Sequence, residues 1–326
     1  MNISHCYFAM AYRSIRPKKG RIMYDIIIVG AGPAGLTAAL YARRADKTVL
    51  VIEKANFGGQ ITSSPKVENY PTIKEISGNE LAQMMLDQIM EHGAELEMAE
   101  VLRIEKIGAT MKVVTDYGEF EGRSVILATG SKHRHLGLER EEDLTGKGVS
   151  YCAVCDGAFF SGAPVAVVGG GNTALQEAVM LSEYCTHVTV VQNLSTMTGE
   201  ARLVSILEKK PNVTMIFDTV VTELLGEDNL EGVVLKNDKT GEISKLSVDG
   251  LFVAIGQVPE NKPFENLVPL NSYGYITAGE NCLTNTSGVF VAGDCRTKQV
   301  RQITTATADG AVAALAACRY LDSLNA

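Results

Sequence analysis

Short apolar runs without polar alternation recur along this chain, and small-residue turns follow them. Tyr24-Asp-Ile-Ile-Ile-Val29 is β-branched and apolar on both faces, the pattern of a buried parallel strand. Gly30-Ala-Gly32-Pro33-Ala34-Gly35 follows, then a helical run from Leu36 to Arg44, then a second strand, Thr48–Ile52, which ends at Glu53. The order recurs downstream. Pro164–Val168 reads as strand, Gly169-Gly-Gly171-Asn172-Thr173-Ala174 as turn, Leu175–Tyr184 as helix and His187–Val191 as strand. Ser124–Gly130 and Leu251–Gly256 are two further apolar runs closing on glycine, one on either side of this second unit. The pattern predicts an α/β fold of two dinucleotide-binding, Rossmann-like three-layer domains, the second inserted in the first. The expected first domain comprises residues 23–131 and 262–326, and the second residues 132–261. Gly288–Asp294 predicts a strand ending in an acid. Gln302–Tyr320 predicts a small-residue helix able to aim its N-terminus at a cofactor.

The turns carry candidate chemistry. In the first, Gly30 permits a tight turn, Gly32 lets a pyrophosphate approach the backbone, and Gly35 lets helix lie close on strand. The helix N-terminus offers N–H donors and the positive end of its dipole. Glu53 lies 23 residues after Gly30, where a carboxylate can accept from a ribose hydroxyl. A glycine triplet alone could be a structural turn; strand, helix and acid together point to a dinucleotide. In the second turn Ala174 replaces the third glycine, which suffices because only a small side chain is needed there.

Composition narrows the function classes. A chain of 326 residues accommodates about two domains. A net charge of −8 argues against general nucleic-acid binding. No apolar run reaches the ~18 residues of a membrane helix. Seven cysteines in this length do not form a secreted disulphide framework, so a reducing cytoplasm is the expected location. Residues 1–22 stand apart, with Arg13, Arg16, Lys18, Lys19 and Arg21 and no acid; without them the balance is −13. That composition suits an organelle transit peptide. Met23, directly before the first strand, favours instead a leader outside the fold, and with it Cys6 loses functional relevance.

Cys152-Ala-Val-Cys155-Asp156-Gly157 is the most chemically loaded run. A thiolate is the reactive form of cysteine, and a helix N-terminus favours it. Ala153–Phe160 has the composition of a short helix opening at the pair. A zinc half-site is the competing reading, but zinc needs about four ligands and no second paired motif is visible. Asp156 is either a proton carrier or only a helix N-terminal acid.

Taken together, these motifs closely resemble the low-molecular-weight thioredoxin reductases, flavin-dependent pyridine nucleotide–disulphide oxidoreductases. The resemblance runs from Met23 to Ala326 and includes Gly58-Gly59-Gln60, Glu68-Asn69-Tyr-Pro71, Ala128-Thr129-Gly130, Gly293-Asp294 and Arg301-Gln302 beside the runs above. It implies that the first domain binds FAD and that the chain is a homodimer. Glu53, Lys54, Gly59, Gln60 and Asn69 would then lie along the cofactor with Ala128, Thr129, Gly130 and Gly293. Asp294 would bond the ribityl chain, and Arg301, Gln302 and Ile303 would hold the flavin end. Cys152 would attack the disulphide of thioredoxin, Cys155 would sit against the flavin, and Asp156 would shuttle the proton. The resemblance also implies that the inserted domain rotates.

One stretch departs from the family. NADPH-using members carry a His-Arg-Arg cluster after the second strand of the inserted domain, with another Arg shortly beyond. Here Gln192-Asn-Leu-Ser-Thr-Met-Thr-Gly-Glu200 follows, and no cation occurs until Arg202. Amides do not match an arginine clamp on a phosphate. NADH-using relatives place an acid where Gln192 stands. The chain is similar in this respect to ferredoxin-dependent flavin thioredoxin reductases, which implies ferredoxin as electron donor. Gly169, Gly171, Asn172, Thr173 and Gln192 would then be a vestigial nucleotide site. An acidic ferredoxin needs a basic patch, for which Lys132-His-Arg-His135 and Arg296/Lys298/Arg301 are candidates. NADPH or NADH as donor stays open, as does a dithiol oxidase that runs the same groups backwards onto oxygen. A flavin- or nucleotide-sensing module has no use for the dithiol. Cys185, Cys282, Cys295 and Cys318 are expected in the core. Met84, Met85 and Met90 are expected in the core or a dimer contact of a helix over 78–92.

Overall fold

A computed structural model describes residues 23–64 and 66–324, so the basic leader and Cys6 lie outside the described residues. The chain divides into two compact units. One continues to Lys66 and adds Tyr70–Ser131 and the chain from Pro259 onward; the other comprises Val67–Asn69 and Lys132–Val258.

The first unit opens with β1 (Met23–Val29), α1 (Pro33–Arg44), β2 (Val49–Glu53), α2 (Gly78–Glu91), β3 (Glu95–Met98), β4 (Val101–Ile107), β5 (Thr110–Thr115) and β6 (Glu119–Leu127). β1 lies between β2 and β6, parallel to both, and Ile26, Ile27 and Ile28 are fully buried. Ile26 and Ile28 face one core and Ile27 and Val29 the other, so the unbroken apolar run serves a sheet covered on both sides. The first helix starts three residues before the expected Leu36 because Pro33 occupies its first turn, where a missing N–H costs nothing. Ser77 caps α2 reciprocally with Glu80. The β4–β5 hairpin adds antiparallel to the early part of β6.

Two short strands, β7 (Ser131–His133) and β16 (Gln257–Pro259), form the paired connections. Between them the second unit repeats the first unit's plan. It contains β8 (Val149–Ser150), α3 (Ala153–Asp156), β9 (Pro164–Val168), α4 (Asn172–Leu181), β10 (His187–Val191), α5 (Ala201–Leu207), β11 (Val213–Ile216) and β15 (Gly250–Val253). The strand order is β11-β10-β9-β15-β8, all parallel. An antiparallel meander of β12 (Thr219–Leu225), β13 (Gly232–Asn237) and β14 (Ile243–Leu246) covers one side.

Back in the first unit, β17 (Val289–Val291) pairs parallel with the end of β6. The parallel order there is β3-β2-β1-β6-β17. β6 and β15 therefore hold equivalent places beside β1 and β9, which explains why the two runs look alike in sequence. The last helix, α6 (Ile303–Ser323), lies on α1 through alanines. A Cβ on Gly310 would stand 2.2 Å from the Ala34 carbonyl oxygen, so the crossing requires glycine. Among the described residues no helix is long and apolar enough to cross a membrane.

Candidate functional site

In the second unit, β8 delivers the chain to α3 at the expected dithiol. Cys152 and Cys155 are joined as a disulphide, with Cα atoms 5.3 Å apart. Cys152 is the N-cap of α3, and its Sγ accepts from the Cys155 N–H at 3.2 Å. Both cysteines are half-buried, while Val154, Ala158 and Phe159 are exposed around them. The run expected as one helix divides into α3 and a 3-10 turn, Gly157–Phe160. Asp156 is anchored: its Oδ2 accepts from Ser150 Oγ at 2.6 Å, and the same hydroxyl accepts from the Cys152 N–H at 3.1 Å. Asp156 Oδ1 is buried without a hydrogen-bond partner among the described residues. Burial raises the carboxyl above its ordinary range, and the Ser150 hydroxyl opposes this in part. The acid is therefore held on the cysteine segment in an environment that favours its protonated form.

The first unit holds the expected cofactor turn. Gly30 has φ +103°, and a Cβ there would stand 2.3 Å from the Ala128 carbonyl oxygen. A Cβ on Gly35 would stand 1.9 Å from the Gly30 oxygen. Above Gly32 the space is open, with only the Gly58 oxygen at 3.9 Å, and Gly59 lies beside it. Gly32 is the N-cap of α1 and offers no side-chain cap, so the helix presents bare N–H groups next to that space. Glu53 closes the far side, accepting from the Ala31 N–H at 2.8 Å and the Ala55 N–H at 2.9 Å. Lys54 is tied to Glu260 at 2.9 Å. Gln60 and Asn69 are exposed, and Asn69 falls in the short segment grouped with the other unit.

Ala128 is buried, Gly130 adopts φ +68°, and Thr129 Oγ1 donates to Asn261 Oδ1 at 2.8 Å. Gly293 turns at φ +80° against Ala34. Asp294 Oδ1 is buried with no hydrogen-bond partner among the described residues, and burial pushes its pKa up to about 6. Arg301 stacks on Tyr275, 4.3 Å from the ring centre, and reaches the Asp294 carbonyl oxygen at 3.4 Å. Gln302 caps α6 and Ile303 begins it.

The second glycine turn keeps its geometry, with Gly169 at φ +133° and Gly171 capping α4. Asn172 Oδ1 accepts from the Glu200 N–H at 2.7 Å, Thr173 is exposed on α4, and Gly170 O accepts from Thr198 and Gly199. Gln192 is 4% exposed, covers Gly170, and donates through Nε2 to the Thr196 oxygen at 3.1 Å. Its amide is thus committed to its own loop. Lys239 reaches Ser195 but pairs with Asp218 at 3.1 Å.

Two corrections concern charge. Arg296 and Lys298 do not form a surface patch. The Arg296 side chain is 1% exposed and that of Lys298 5%, and both are bound by Asp309 of α6 at 2.8–3.0 Å. Asp309 also accepts from the Gly293 N–H at 2.9 Å, so this buried network braces the turn that carries Asp294. In the other candidate, Lys132, Arg134 and His135 are exposed, but His133 is half-buried and pushed down to about 4 by burial and then by His135. Sequence reasoning also passed over Ser150, Asn261, Asp309 and Glu177. Glu177 of α4 is buried, and its Oε1 accepts from the Ala153 N–H. Cys185, Cys282, Cys295 and Cys318 are buried, as expected. Met85 lies against the core, while Met84 and Met90 are exposed. Among the described residues no group of three or more His, Cys, Asp or Glu gathers to hold a metal.

Residues 24–310 match the family described as pyridine nucleotide-disulphide oxidoreductase. Thioredoxin reductase of Bacillus subtilis is 40% identical over 305 residues, 93% of this chain and 96% of that protein. Thioredoxin reductase of Treponema pallidum is 41% identical over 306 residues, 93% of this chain and 98% of that protein. The crystal structure of thioredoxin reductase from Streptococcus pyogenes superimposes with a TM-score of 0.89 at 40% identity, covering 93% of this chain and all of that one.

Proposed function

The chain belongs to the pyridine nucleotide-disulphide oxidoreductases, and on that footing we propose that it is a thioredoxin reductase acting through Cys152 and Cys155. The observation that supports this most directly is the closed Cys152–Cys155 disulphide with Asp156 fastened to its backbone through Ser150. FAD is the cofactor of this family, and the first unit fits it: an open space over Gly32, bare N–H groups on α1, and an unfilled buried acceptor at Asp294. When bound, FAD supplies the two electrons that open the disulphide. The chain's own residues do the rest. Cys152, the outer cap of α3, attacks one sulphur of the protein disulphide as thiolate, and that S–S bond breaks. Cys155 then attacks Cys152 Sγ, re-forms the resting disulphide and releases the partner as a dithiol. Asp156, protonated to higher pH than a free carboxyl, donates the proton that the departing thiolate takes up. Exposed Val154 and Phe159 give the partner an apolar contact beside the pair. We take the working form to be a homodimer.

For the electron donor we propose a ferredoxin rather than NADPH. The loop from Gln192 to Glu200 supplies no cation, Gln192 is folded onto Gly170, and Lys239 beside the loop is paired with Asp218. Exposed Lys132 and Arg134 provide a basic contact for an acidic protein. The intact turn at Gly169 supports NAD(P)H as the second reading. Anaerobic flavin bleaching separates them. Bleaching by reduced ferredoxin and not by NADPH or NADH at millimolar concentration is the expected result. Stoichiometric bleaching by either nucleotide refutes the ferredoxin assignment. Bleaching by a small dithiol, followed by fast oxygen consumption without thioredoxin reduction, makes the protein a dithiol oxidase.

A further inference from the structure

Glu177 is a carboxyl group that the mechanism above leaves without a role, although it binds the peptide N–H that directly follows Cys152. It sits on α4, is 8% exposed, and its Oε1 accepts from the Ala153 N–H at 3.3 Å, one peptide link from Cys152. Its Oε2 is buried with no hydrogen-bond partner among the described residues. A charged carboxylate in this position leaves an unsolvated oxygen, and a neutral one has a proton with no acceptor. Buried polar groups are rarely left in that condition without a use. We propose that Glu177 is a proton-holding positioning residue for the Cys152/Cys155 couple, taking up a proton when the disulphide is reduced and releasing it when the disulphide re-forms. The proposal rests on the disulphide-reductase reading given above.

The balance is simple. Two electrons from the reduced flavin break the S–S bond and would leave two sulphur anions. One proton makes one sulphur a thiol. The remaining thiolate belongs to the segment whose Ala153 N–H Glu177 binds, and two like charges in a buried site disfavour one another. A second proton on Glu177 keeps the net charge of the site unchanged: disulphide plus carboxylate, two electrons and two protons become thiol, thiolate and carboxylic acid. Burial already places Glu177 at about 7 in the disulphide state, with the Ala153 N–H opposing it. Asp156, also raised by burial, serves the departing thiolate as described above, and among the described residues Glu177 is the other raised carboxyl of this segment. Asp156 on α3 is bound to Ser150. Tyr184, whose hydroxyl lies against Gly157, and Cys185 beyond α4 are both raised by burial and stay neutral. β9 and β10 present valines to α4, and Arg202 of α5 and Glu208 just after it are exposed.

The test uses the full-length holoenzyme and its Glu177→Gln variant, which keeps an oxygen for the Ala153 N–H. The dithiol is equilibrated in thiol–disulphide buffers from pH 6 to 9, and the reduced fraction is read by alkylation of Cys152 and Cys155. The slope of midpoint potential against pH counts protons per two electrons. Above about pH 7 the wild type should take up one proton more than the variant over part of the range. The alkylation pKa of reduced Cys152 should be lower in the variant. Glu177→Asp, which keeps the charge, should restore a break in slope. Identical slopes and identical thiol pKa values in wild type and Glu177→Gln overturn the proposal and leave Glu177 as a mere cap for Ala153. Failure of the wild type to reduce thioredoxin with any donor overturns the reductase reading instead, and the buffer titration distinguishes the two because it needs neither donor nor partner.

Discussion

Asp309→Asn tests the buried network behind the cofactor turn. Asp309 receives four hydrogen bonds: from the Gly293 N–H, from Arg296 Nε and Nη2, and from Lys298 Nζ. The Arg296 and Lys298 side chains are 1% and 5% exposed, so two cations depend on this carboxylate. Asparagine keeps one acceptor oxygen but turns an NH2 towards the guanidinium. Removing one member of a buried ion pair costs about 3–5 kcal/mol. Glu280, within 3.2 Å of Arg296 but itself 90% exposed, can take part of the charge. The expected loss is therefore at the lower end, about 3 kcal/mol, or roughly a hundredfold in the folding equilibrium. The chain has no tryptophan, so urea unfolding should be followed by far-ultraviolet circular dichroism, with flavin release read separately. Burial pushes the Asp309 carboxyl up, but Arg296 and Lys298 outweigh it and hold the group below its ordinary range, so its stabilisation is present above about pH 4 and fades as the pH falls through the folded value. The gap between variant and wild type should close in the same direction. The apolar triple variant Arg296→Met, Lys298→Met, Asp309→Leu should be less damaged than Asp309→Asn alone, because no stranded charge remains. A loss below about 1 kcal/mol in the single variant, or a triple variant more damaged than the single, would refute the reasoning.

Four other outcomes follow from the geometry. Asp156→Asn should slow thioredoxin reduction by about 10²-fold or more with Cys152 still alkylatable, and should flatten the alkaline limb of the pH–rate profile; an unchanged profile would leave the acid as a helix residue only. Gly30→Ala forces a Cβ to 2.3 Å from a carbonyl oxygen at φ +103°, so the purified variant should carry little FAD, measured by its absorbance ratio at 450 and 280 nm. Gln192→Arg with Asn193→Arg should create measurable NADPH-driven flavin reduction if the vestigial site is placed as proposed; no gain over wild type counts against that placement. Glu177→Gln should gain stability relative to wild type as the pH rises from 4.5 to about 7, since the raised carboxyl stabilises only while protonated; at ~1.4 kcal/mol per unit over about 2.5 pH units the gain is at most about 3.5 kcal/mol, and equal unfolding curves at pH 5 and 8 would contradict it.

The parallel strands could be read because burial on both faces removes every polar residue from their centres, as in Ile26–Ile28 and Val165–Val168. The antiparallel strands lacked that signal. In β4, Leu102 and Ile107 are about half exposed while Arg103 and Glu105 intervene, so no clean alternation marks the strand. Of the site, the parts legible in sequence were those whose chemistry is local: the glycine turns and the cysteine pair. What escaped was made of residues whose role depends on a distant partner. Arg296 reads as a surface cation until α6 brings Asp309 to it, and an ion pair 13 residues apart across a turn has no sequence period. Glu177 follows Gln176 on a helix and reads as solvated. It is buried where α3 contacts α4, and it accepts from the Ala153 N–H there. The same contact that hid the residue from sequence inspection is what couples it to Cys152: a carboxyl facing water would titrate near 4 and have no proton to exchange with a thiol at neutral pH. Burial moves it to about 7, where a thiolate on Cys152, the residue before the Ala153 it binds, can shift it further.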